Sequence, residues 1–421
     1  MEEKVINAAL LGLGTVGTGV YKVLKGQEEE MTAKIGCKVK ITKILVRSLE
    51  KAAQKVEEPS ILTNNWNEIK EDSSIDIVIE LIGGIEPAKS YILDALHAGK
   101  HVVTANKDLI AVHGQELLDA AKAAKVDFLF EAAVAGGIPI IRPLKQCLAG
   151  NHLSEVMGIV NGTTNFILTK MIRDQMSFED ALALAQKLGY AERNPAADIE
   201  GDDACRKICI LASLAFGKHV YPDQVHTEGI TKVTLGDVEY AEAWGGVIKL
   251  IGRVKMMDDH RIQIIVCPML IPRESQLANV DDVFNGIMVR GDATGDVVFY
   301  GKGAGKLPTA SAVVADVIDC AKHMHARKNL FWSDSVDNYV QDYLDDITAM
   351  YIRATADDIA AAKTEAEALF GTVELLVQKN APKNELAFVT KPMKEREIQD
   401  KIGVLESKGV TIASTIRVGD L

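Results

Sequence analysis

The stretch LLGLGTVGTGV, residues 10–20, decides the fold of the amino-terminal part of the chain. Its glycines have the spacing G-x-G-x-x-G, directly after an apolar run and at the start of a helical pattern. In that context the first glycine turns the chain, the second lets the backbone approach a pyrophosphate, and the third allows close packing of helix on strand. The sequence therefore predicts a dinucleotide-binding turn, formed by Gly12, Leu13, Gly14, Thr15, Val16 and Gly17.

Short apolar runs alternate with helical patterns through the first third of the chain. Runs almost continuous in Val, Ile and Leu are typical of strands covered on both faces, and hence of a parallel sheet. We therefore predict a Rossmann-type doubly wound α/β domain over residues 1–135, completed by an apolar helix at residues 305–326. The predicted strands are VINAALLGLG (5–14), VKITKILVR (39–47), SIDIVIELIGG (74–84), KHVVTANK (100–107) and VDFLFEAAVAGG (126–137).

The pattern changes after this first domain. Residues 136–304 combine helical stretches with apolar strands such as RIQIIVCPMLI (261–271), which predicts an α+β domain with antiparallel strands. Residues 327–344 are polar and largely aperiodic, and we interpret them as a linker. Residues 345–421 read as strand, helix, strand, strand, helix, strand, the order of a ferredoxin-like domain.

The net charge, the amino-terminal stretch and the cysteines bear on the class of protein and on its location. A formal net charge of -12, without a stripe of Lys or Arg, argues against a nucleic-acid partner, because phosphate neutralisation needs a basic surface. The acidic start MEEKVINAALLGLG differs from a signal peptide, and no apolar stretch reaches the length of a membrane helix. Six scattered cysteines lack disulfide or metal-ligand spacing, so we expect free thiols and a cytoplasmic protein.

The end of the second predicted strand bears on the choice of cofactor. A site for NAD usually carries Asp or Glu there to hold the ribose hydroxyls, whereas ITKILVRSLEK (41–51) has Arg47 and Ser48. A guanidinium at this point suits a 2'-phosphate and favours NADP. The alternative is that Arg47 is a solvated strand-end residue, which leaves NAD possible.

Lys207 lies in an otherwise apolar helix, predicted over residues 202–216. A lysine on an inward face needs a partner or a cleft, and burial suits it to proton transfer. Asp203, one turn earlier, can orient it, although an ordinary ion pair at a domain boundary is the alternative. Residues expected on the inward arc are Asp203, Lys207, Ile210, Leu211 and Leu214, and those expected to face away are Arg206 and Ser213.

More polar residues surround these motifs. The loop GYAERNPAADIEG (189–201) adds Glu192, Asp198 and Glu200, a density of carboxylates that suits an ammonium-bearing substrate. A solvated loop is the alternative, and helix-start acids explain Glu200 and Asp202 well. Lys107 follows an apolar strand at the carboxyl end of the predicted parallel sheet, where ligands bind in doubly wound folds. An exposed lysine at a helix start is the alternative there.

Together these motifs resemble the homoserine dehydrogenase family over nearly the whole chain. The resemblance implies interconversion of L-homoserine and L-aspartate 4-semialdehyde by hydride exchange with NAD(P), on the route to threonine and methionine. The motifs that carry it, in this order, are GLGTVG (12–17), HVVTANK (101–107), EAAVAGGIPIIRPLK (131–145), GIVNGTTNFIL (158–168), LGYAERNPAADIEGDDACRK (188–207) and GKGAGKLPTASAVVAD (301–316).

The resemblance also implies roles for individual residues. Lys207 matches the acid/base that moves the hydroxyl proton, and Lys107 matches a lysine between cofactor and substrate. The substrate site would comprise Glu192, Asp198, Asp203, Gly162 and Thr163, with Glu192 reaching the amino group. The resemblance adds Thr104 and Gly303 to the cofactor site, with Gly303 in a loop that closes near the nicotinamide.

A monovalent-cation loop and an assembly are implied as well. EAAVAGGI (131–138) resembles the family's Na⁺ loop, which places ligands at Glu131 and at the carbonyls of Val134, Gly136 and Ile138. Oxygen donors of this kind suit a hard cation. A homodimer is expected from the relatives, and the carboxy-terminal domain would extend it to a tetramer.

The carboxy-terminal region resembles an ACT regulatory domain. It departs from that pattern at ATADDIAAA (354–362), where a D-x-P-G-type turn that makes effector contacts is expected. Two other functions stay open at this point. An aspartate-semialdehyde dehydrogenase would need a nucleophilic cysteine, for which Cys147 is available, and a non-catalytic NADP-binding sensor would not need the lysines and acids.

Overall fold

The computed structural model describes residues 5–324, 326, 330–336, 338–379 and 381–420. The described strands are β1 Val5–Leu11, β2 Lys38–Leu45, β3 Leu62–Thr63, β4 Ile77–Glu80, β5 His101–Thr104, β6 Phe128–Leu129, β7 Leu153–Ile159, β8 His226–Thr227, β9 Gly246–Met256, β10 Ile262–Pro272, β11 Phe284–Gly291, β12 Gly295–Lys302, β13 Ile347–Thr355, β14 Glu374–Leu376, β15 Glu385–Val389, β16 Met393–Lys394 and β17 Thr411–Val418. The described α-helices are α1 Thr15–Gly26, α2 Glu28–Ile35, α3 Leu49–Ala53, α4 Asn67–Lys70, α5 Ala88–His97, α6 Lys107–Ala124, α7 Gly162–Asp174, α8 Phe178–Lys187, α9 Ala196–Ile199, α10 Asp202–Phe216, α11 Leu235–Trp244, α12 Lys306–Lys322, α13 Ile359–Phe370 and α14 Glu395–Ser407.

These elements form two compact units. The first takes in the described residues of the ranges 1–152, 209–222 and 301–335. The second takes in those of the ranges 153–208, 223–300 and 336–421.

The first unit contains a six-stranded parallel sheet in the order β3-β2-β1-β4-β5-β6. This is the doubly wound order, in which the direction of winding reverses between β1 and β4. The predicted Rossmann-type sheet is therefore confirmed. Strand β3, a short pair of residues in a largely polar stretch, is not among the five predicted strands.

Helix α12 returns to this unit late in the chain and packs on α1. A Cβ atom built on Gly19 of α1 would lie 3.0 Å from the Cβ of Ala310 in α12, so small residues let the two helices approach closely. Val313 and Val317 of α12 are fully buried in the same hydrophobic core as Leu10 of β1. The helix thus supplies part of the apolar cover of the sheet.

The second unit contains an eleven-stranded sheet. Nine strands run in the order β12-β11-β7-β9-β10-β17-β13-β15-β14, and β8 and β16 pair with β10 and β13. The section from β11 to β10 is antiparallel, as predicted for the middle region. Its core contains Met157, Ile251 and Cys267, which are fully buried.

The carboxy-terminal region shows the predicted alternation of strands and helices, with the short β16 in addition. Its strands lie in the antiparallel order β17-β13-β15-β14, which is typical of ferredoxin-like folds. Residue 380, at the end of the second strand predicted for this region, lies outside the described residues. Strand β17 also pairs in parallel with β10, through Met269 with Arg417 and Leu270 with Val418. The expected domain boundary at residue 345 therefore lies inside one compact unit.

The predicted linker contains residues 327–329 and 337, which lie outside the described residues. Most of its described residues are exposed or partly exposed, as the polar composition indicates, but the aromatic side chains of Trp332 and Tyr339 are buried. Trp332 is only 2% exposed, and a Cβ on Gly114 of α6 would lie 2.4 Å from its ring. A glycine in the middle of α6 thus makes room for the indole.

Candidate active site

The glycine-rich turn lies between β1 and α1. Gly12 has a φ of 95°, and a Cβ there would lie 2.8 Å from the carbonyl oxygen of Leu81. A Cβ on Gly17 would lie 2.1 Å from the carbonyl oxygen of Gly12, whereas one on Gly14 would meet nothing within 4 Å. The fold itself therefore requires glycine at positions 12 and 17, while Gly14 keeps the open side of the turn small for an approaching ligand.

The amino-terminal end of α1 suits an anion. Gly14 precedes the helix, makes no side-chain cap, and the first turn carries no acidic residue. The backbone N–H groups of Thr15 and Val16 therefore begin a helix whose dipole favours negative charge. This arrangement fits the pyrophosphate of a dinucleotide.

Arg47 is exposed and follows the end of β2 by two residues. The next residue, Ser48, caps α3 by accepting a hydrogen bond from the N–H of Lys51 at 3.4 Å. Arg47 thus lies just beyond the carboxyl end of β2, at the edge of the sheet where the ribose of a dinucleotide binds in doubly wound folds.

Lys107 is the first residue of α6 and is partly buried. Asn106 caps this helix, because its side chain accepts a hydrogen bond from the N–H of Leu109 at 3.2 Å. The side chain of Thr104 is fully buried, and its hydroxyl donates to Glu80 at 2.6 Å. Asn106 and Glu80 do not figure in the sequence analysis. Their signals are an asparagine before a helix and an acid that ends an apolar strand.

Glu131 is buried, and its carboxylate accepts three backbone hydrogen bonds. The donors are the N–H groups of Ile140 at 2.6 Å, Ile141 at 2.8 Å and Arg142 at 2.8 Å. Asp316 accepts from the N–H of Glu131 at 2.8 Å and from the guanidinium of Arg142 at 2.7 Å. Burial, with the nearby charge of Glu131, raises the pKa of Asp316 to about 7. Backbone N–H groups therefore occupy both carboxylate oxygens of Glu131.

The rest of the predicted cation loop turns sharply. Ala135 and Gly136 are both left-handed, with φ of 56° and 51°. A Cβ on Gly136 would lie 2.4 Å from the carbonyl oxygen of Gly303, so this loop contacts the loop predicted to close near the nicotinamide. Val134 and Ile138 are buried. A turn rich in main-chain carbonyls fits a hard monovalent cation.

Lys207 lies in α10 and is 8% exposed. Its ammonium donates to the carboxylate of Asp203 at 2.6 Å and to the carbonyl oxygen of Val160 at 2.8 Å. The pairing of Asp203 with Lys207 along one helix face agrees with the sequence analysis. Two acceptors of this kind fix the direction of a long, flexible side chain.

Asn161 joins two acids that are distant in sequence. Its side-chain amide donates to Asp198 at 2.7 Å and to Asp203 at 2.8 Å. Its side-chain oxygen accepts from the N–H of Thr164 at 2.8 Å and so caps α7. Sequence reasoning missed this residue, although an asparagine between an apolar strand and a helix is a capping signal.

The other predicted substrate residues differ in their contacts and in their burial. The hydroxyl of Thr163 donates to the carbonyl oxygen of Tyr190 at 2.8 Å, which ties α7 to the loop that precedes α9. Gly162 starts α7, where a Cβ would lie 2.8 Å from the carbonyl oxygen of Val283. Glu192 is exposed in the loop. The structure thus brings Lys207, Asp203 and Asp198 together and leaves Glu192 at the surface of the second unit.

The inward arc of α10 is buried as predicted, but the prediction for Ser213 is wrong. Ser213 is only 1% exposed. Its hydroxyl donates to the carbonyl oxygen of Cys209 at 2.7 Å and accepts from the N–H of Val220 at 2.9 Å. The chain that follows α10 folds back on this face, which the periodicity of the helix alone does not reveal.

Comparison with known proteins identifies the family. The family model described as homoserine dehydrogenase matches residues 139–318, and the one described as its NAD-binding domain matches residues 12–131. The chain belongs to the homoserine dehydrogenase family. It is 46% identical to the homoserine dehydrogenase of Bacillus subtilis, over 76% of this chain and 74% of that protein.

Solved structures of homoserine dehydrogenases agree with this assignment. One from Thiobacillus denitrificans covers 99% of both chains, with a TM-score of 0.90 and 38% identity. A hyperthermophilic archaeal homoserine dehydrogenase in complex with NADPH covers 75% of this chain and 97% of its own, with a TM-score of 0.64 and 27% identity. As a member of the family, the chain is an oxidoreductase with a nicotinamide-dinucleotide domain that acts on a small molecule.

The family match does not favour aspartate-semialdehyde dehydrogenase. The six cysteines all lie in the described part of the chain and form no disulfide there, and Cys147 is exposed at the end of the helical turn Pro143–Cys147. In the described part of the chain, one buried trio, His101, Asp127 and Cys320, brings potential metal ligands within 4.8 Å of one another. Within that trio the Nδ1 atom of His101 accepts the N–H of Asp127 at 3.1 Å. None of the described helices is long and apolar enough to cross a bilayer.

Proposed function

We propose that this chain interconverts L-homoserine and L-aspartate 4-semialdehyde, with Lys207 as the group that carries the hydroxyl proton. The observation that carries the proposal is the buried ammonium of Lys207, held by Asp203 at 2.6 Å and by the carbonyl of Val160 at 2.8 Å. A lysine with a fixed direction, beside a cluster of acids, is suited to general acid–base work on a substrate that has its own ammonium group.

The reaction transfers a hydride between a carbon of the substrate and the nicotinamide, which supplies the hydride acceptor or donor when bound. During reduction of the aldehyde the ammonium of Lys207 gives a proton to the carbonyl oxygen, and during oxidation the neutral amine of Lys207 accepts the proton of the hydroxyl group. Asp203 compensates the charge of Lys207. Asp198 and Glu192 supply negative charge for the ammonium of the substrate, and Lys107 would lie beside the cofactor.

Replacing Lys207 by alanine tests this assignment. General acid–base catalysis contributes about 10²- to 10⁴-fold, so Lys207→Ala should lower turnover at least about 100-fold, with NADPH affinity almost unchanged. Initial rates of homoserine-dependent NADPH formation, with NADPH binding measured by fluorescence, check both. Lys187→Ala removes an exposed lysine at the end of α8 and serves as control. A wild-type chain without homoserine-dependent activity, or Lys207→Ala with normal turnover, contradicts the proposal.

We propose NADP as the preferred cofactor. The exposed guanidinium of Arg47, two residues beyond β2, supports this, and an archaeal relative has been solved with NADPH. Because a charge-assisted contact contributes about 1.5–3 kcal/mol, Arg47→Ala should raise the KM for NADP about 10- to 100-fold while the KM for NAD stays the same. Initial rates with both cofactors check this, and an equal change in both KM values contradicts it.

We further propose that the loop of residues 131–138 binds Na⁺ through the main-chain carbonyls of Glu131, Val134, Gly136 and Ile138. Its consecutive left-handed residues and its engaged carboxylate support carbonyl ligation. Loss of activity when tetramethylammonium replaces Na⁺ at constant ionic strength is the expected result.

A homodimer, extended to a tetramer by an ACT-like carboxy-terminal region, remains our proposal for the assembly. The ferredoxin-like strand order supports the ACT-like assignment. The missing D-x-P-G-type turn, where Asp358 instead caps α13, supports a role in assembly over threonine feedback. Light scattering and assays with added threonine test the two parts. The six cysteines form no disulfide in the described part of the chain, which supports the cytoplasmic location expected from the sequence.

A further inference from the structure

Glu80 carries a buried carboxylate at the carboxyl end of β4. One carboxylate oxygen accepts the N–H groups of Ile82 at 2.7 Å and Gly83 at 3.2 Å. The other accepts the hydroxyl of Thr104, at the end of β5, at 2.6 Å. A single side chain therefore connects the loop that follows β4 with the end of the neighbouring strand.

The connection continues to the start of α6. The hydroxyl oxygen of Thr104 accepts the N–H of Asn106 at 3.0 Å. The side-chain amide of Asn106 donates to the carbonyl oxygen of Gly84 at 2.7 Å, which returns to the loop after β4. These bonds form a closed ring, and Lys107 is the next residue along the chain.

The loop in this ring faces open space. Gly83 and Gly84 have φ of 78° and 74°, and a Cβ on either would meet nothing within 4 Å. The carbonyl oxygen of Leu81 lies 2.8 Å from where a Cβ of Gly12 would be, so the loop also packs against the glycine-rich turn. β1 and β4 flank the point where the winding of the sheet reverses, and ligands of doubly wound sheets bind there.

Holding a loop through a buried carboxylate costs free energy, because the group is removed from water. An apolar side chain of similar size avoids the cost of desolvating a charge and stabilises a fold equally well or better. Glu80 is 0% exposed, and its known bonds all go to the segments that border the open side of the sheet. The side chain of Glu80 therefore fixes the geometry of segments that border the open side of the sheet.

We propose that Glu80 is a positioning residue for hydride transfer. Its hydrogen bonds with Ile82, Gly83 and Thr104 hold the Gly83–Gly84 loop and the turn that starts α6 in place. These bonds thereby fix the position of Lys107 and of the surface that receives the dinucleotide. The inference rests on the proposed function to the extent that it assigns Lys107 a place beside the cofactor.

Glu80→Gln and Thr104→Val test the ring, because each removes one of its charged or hydroxyl contacts with little change of shape. A displacement of about 1 Å in such a site costs about 100-fold in rate. We expect kcat to fall about 10- to 100-fold and the KM for NADP to rise. The primary isotope effect measured with NADPH deuterated at C4 should also rise, because hydride transfer becomes more rate-limiting. Thr104→Ser keeps the hydroxyl and should recover most of the loss caused by Thr104→Val.

A purely structural role gives a different result. A smaller folded fraction lowers kcat but leaves the KM and the isotope effect at their wild-type values, and that outcome in Thr104→Val would overturn the inference. If Glu80→Gln does not fold, the Thr104→Val and Thr104→Ser pair decides. An inactive wild-type chain refutes the proposed function instead, whereas an active wild type in which Lys107→Ala is slow and Thr104→Val is normal refutes only the role of Glu80.

Discussion

The neutral side chain of Asn161 both links two acids and caps a helix. Its two amide hydrogens go to Asp198 and Asp203, and Asp203 in turn holds Lys207. The same side chain caps α7 through its oxygen. Local helix stability and the geometry of the acids therefore depend on one residue, and the two contributions need separate variants.

Replacing Asn161 with serine and with alanine separates them. Serine also caps helices well, so Asn161→Ala should lower the free energy of unfolding by about 1 kcal/mol more than Asn161→Ser does. Serine cannot donate to both acids, and a buried acceptor without its donor costs about 1–3 kcal/mol, so both variants share that loss of stability. Because Asp203 holds Lys207 and loses its own donor, both variants should also lose kcat/KM for homoserine, by up to about 100-fold. Urea unfolding and initial rates measure the two effects, and full activity in Asn161→Ser would contradict this view.

The sequence predicts part of this site for a simple physical reason. Asp203 and Lys207 lie four residues apart in one helix, and helical periodicity brings such residues together. The contacts of Asn161 with Asp198 and of Glu80 with Thr104 join segments 37 and 24 residues apart. Only the tertiary fold brings those segments into contact, and no periodicity encodes it.

At the scale of elements, two arginines fasten the carboxy-terminal strands to the rest of the second unit. Arg353 of β13 donates to Asp237 of α11 at 2.9 Å and to Glu385 of β15 at 2.9 Å. Arg417 of β17 donates to Glu228 at 2.9 Å. Burial opposes ionisation of Glu228, but hydrogen bonds from His226 and Arg417 outweigh it and lower its pKa to about 2.

Arg353→Ala should destabilise the second unit strongly. It leaves the fully buried carboxylate of Asp237 without its cation, and breaking one side of a buried ion pair costs about 3–5 kcal/mol. Arg396→Ala is a suitable control, because Arg396 pairs with Asp342 at 3.3 Å on the surface, where such pairs contribute about 1 kcal/mol or less. Denaturant unfolding compares the two variants. Equal and small losses would show that Arg353 is dispensable.

The sequence predicts the main helices and strands well, but it predicts the pairing of the strands only in part. The run of apolar strands and the glycine-rich turn predict the parallel sheet, and the apolar pattern of α10 predicts its ends. The parallel pairing of β17 with β10 escapes prediction, because two short contacts between strands about 150 residues apart leave no pattern in either strand. The sequence therefore predicts a separate carboxy-terminal domain, whereas in the structure the strands of this region continue the eleven-stranded sheet of the second unit.

At the scale of the whole molecule, the stability should depend on pH through Asp346. Burial raises the pKa of this carboxyl to about 6, although Gln263 and Gln341 donate hydrogen bonds to it. Between about pH 4 and pH 6 the folded chain therefore binds more protons than the unfolded chain. Its stability falls as the pH rises through this window, and the full cost is present above pH 6.

Asp346→Asn removes that dependence while its amide oxygen still accepts from the two glutamines. The variant should match the wild type near pH 4 and exceed it by about 1–3 kcal/mol in free energy of unfolding at pH 7. Asp357→Asn, at an exposed position, should show a constant difference at all pH values. Unfolding curves from pH 4 to 8 measure both. A wild type that is more stable than Asp346→Asn at pH 7 would contradict the sign of the effect.

The late return of α12 to the first unit has a consequence for biosynthesis. Chain synthesis is directional, and this helix, Lys306–Lys322, supplies buried Val313, Val317 and Cys320 to the core beneath the glycine-rich turn. A nascent chain that ends before this helix exposes the apolar surface that the helix later covers. The nucleotide-binding unit therefore cannot complete its core on the ribosome until most of the polypeptide has emerged.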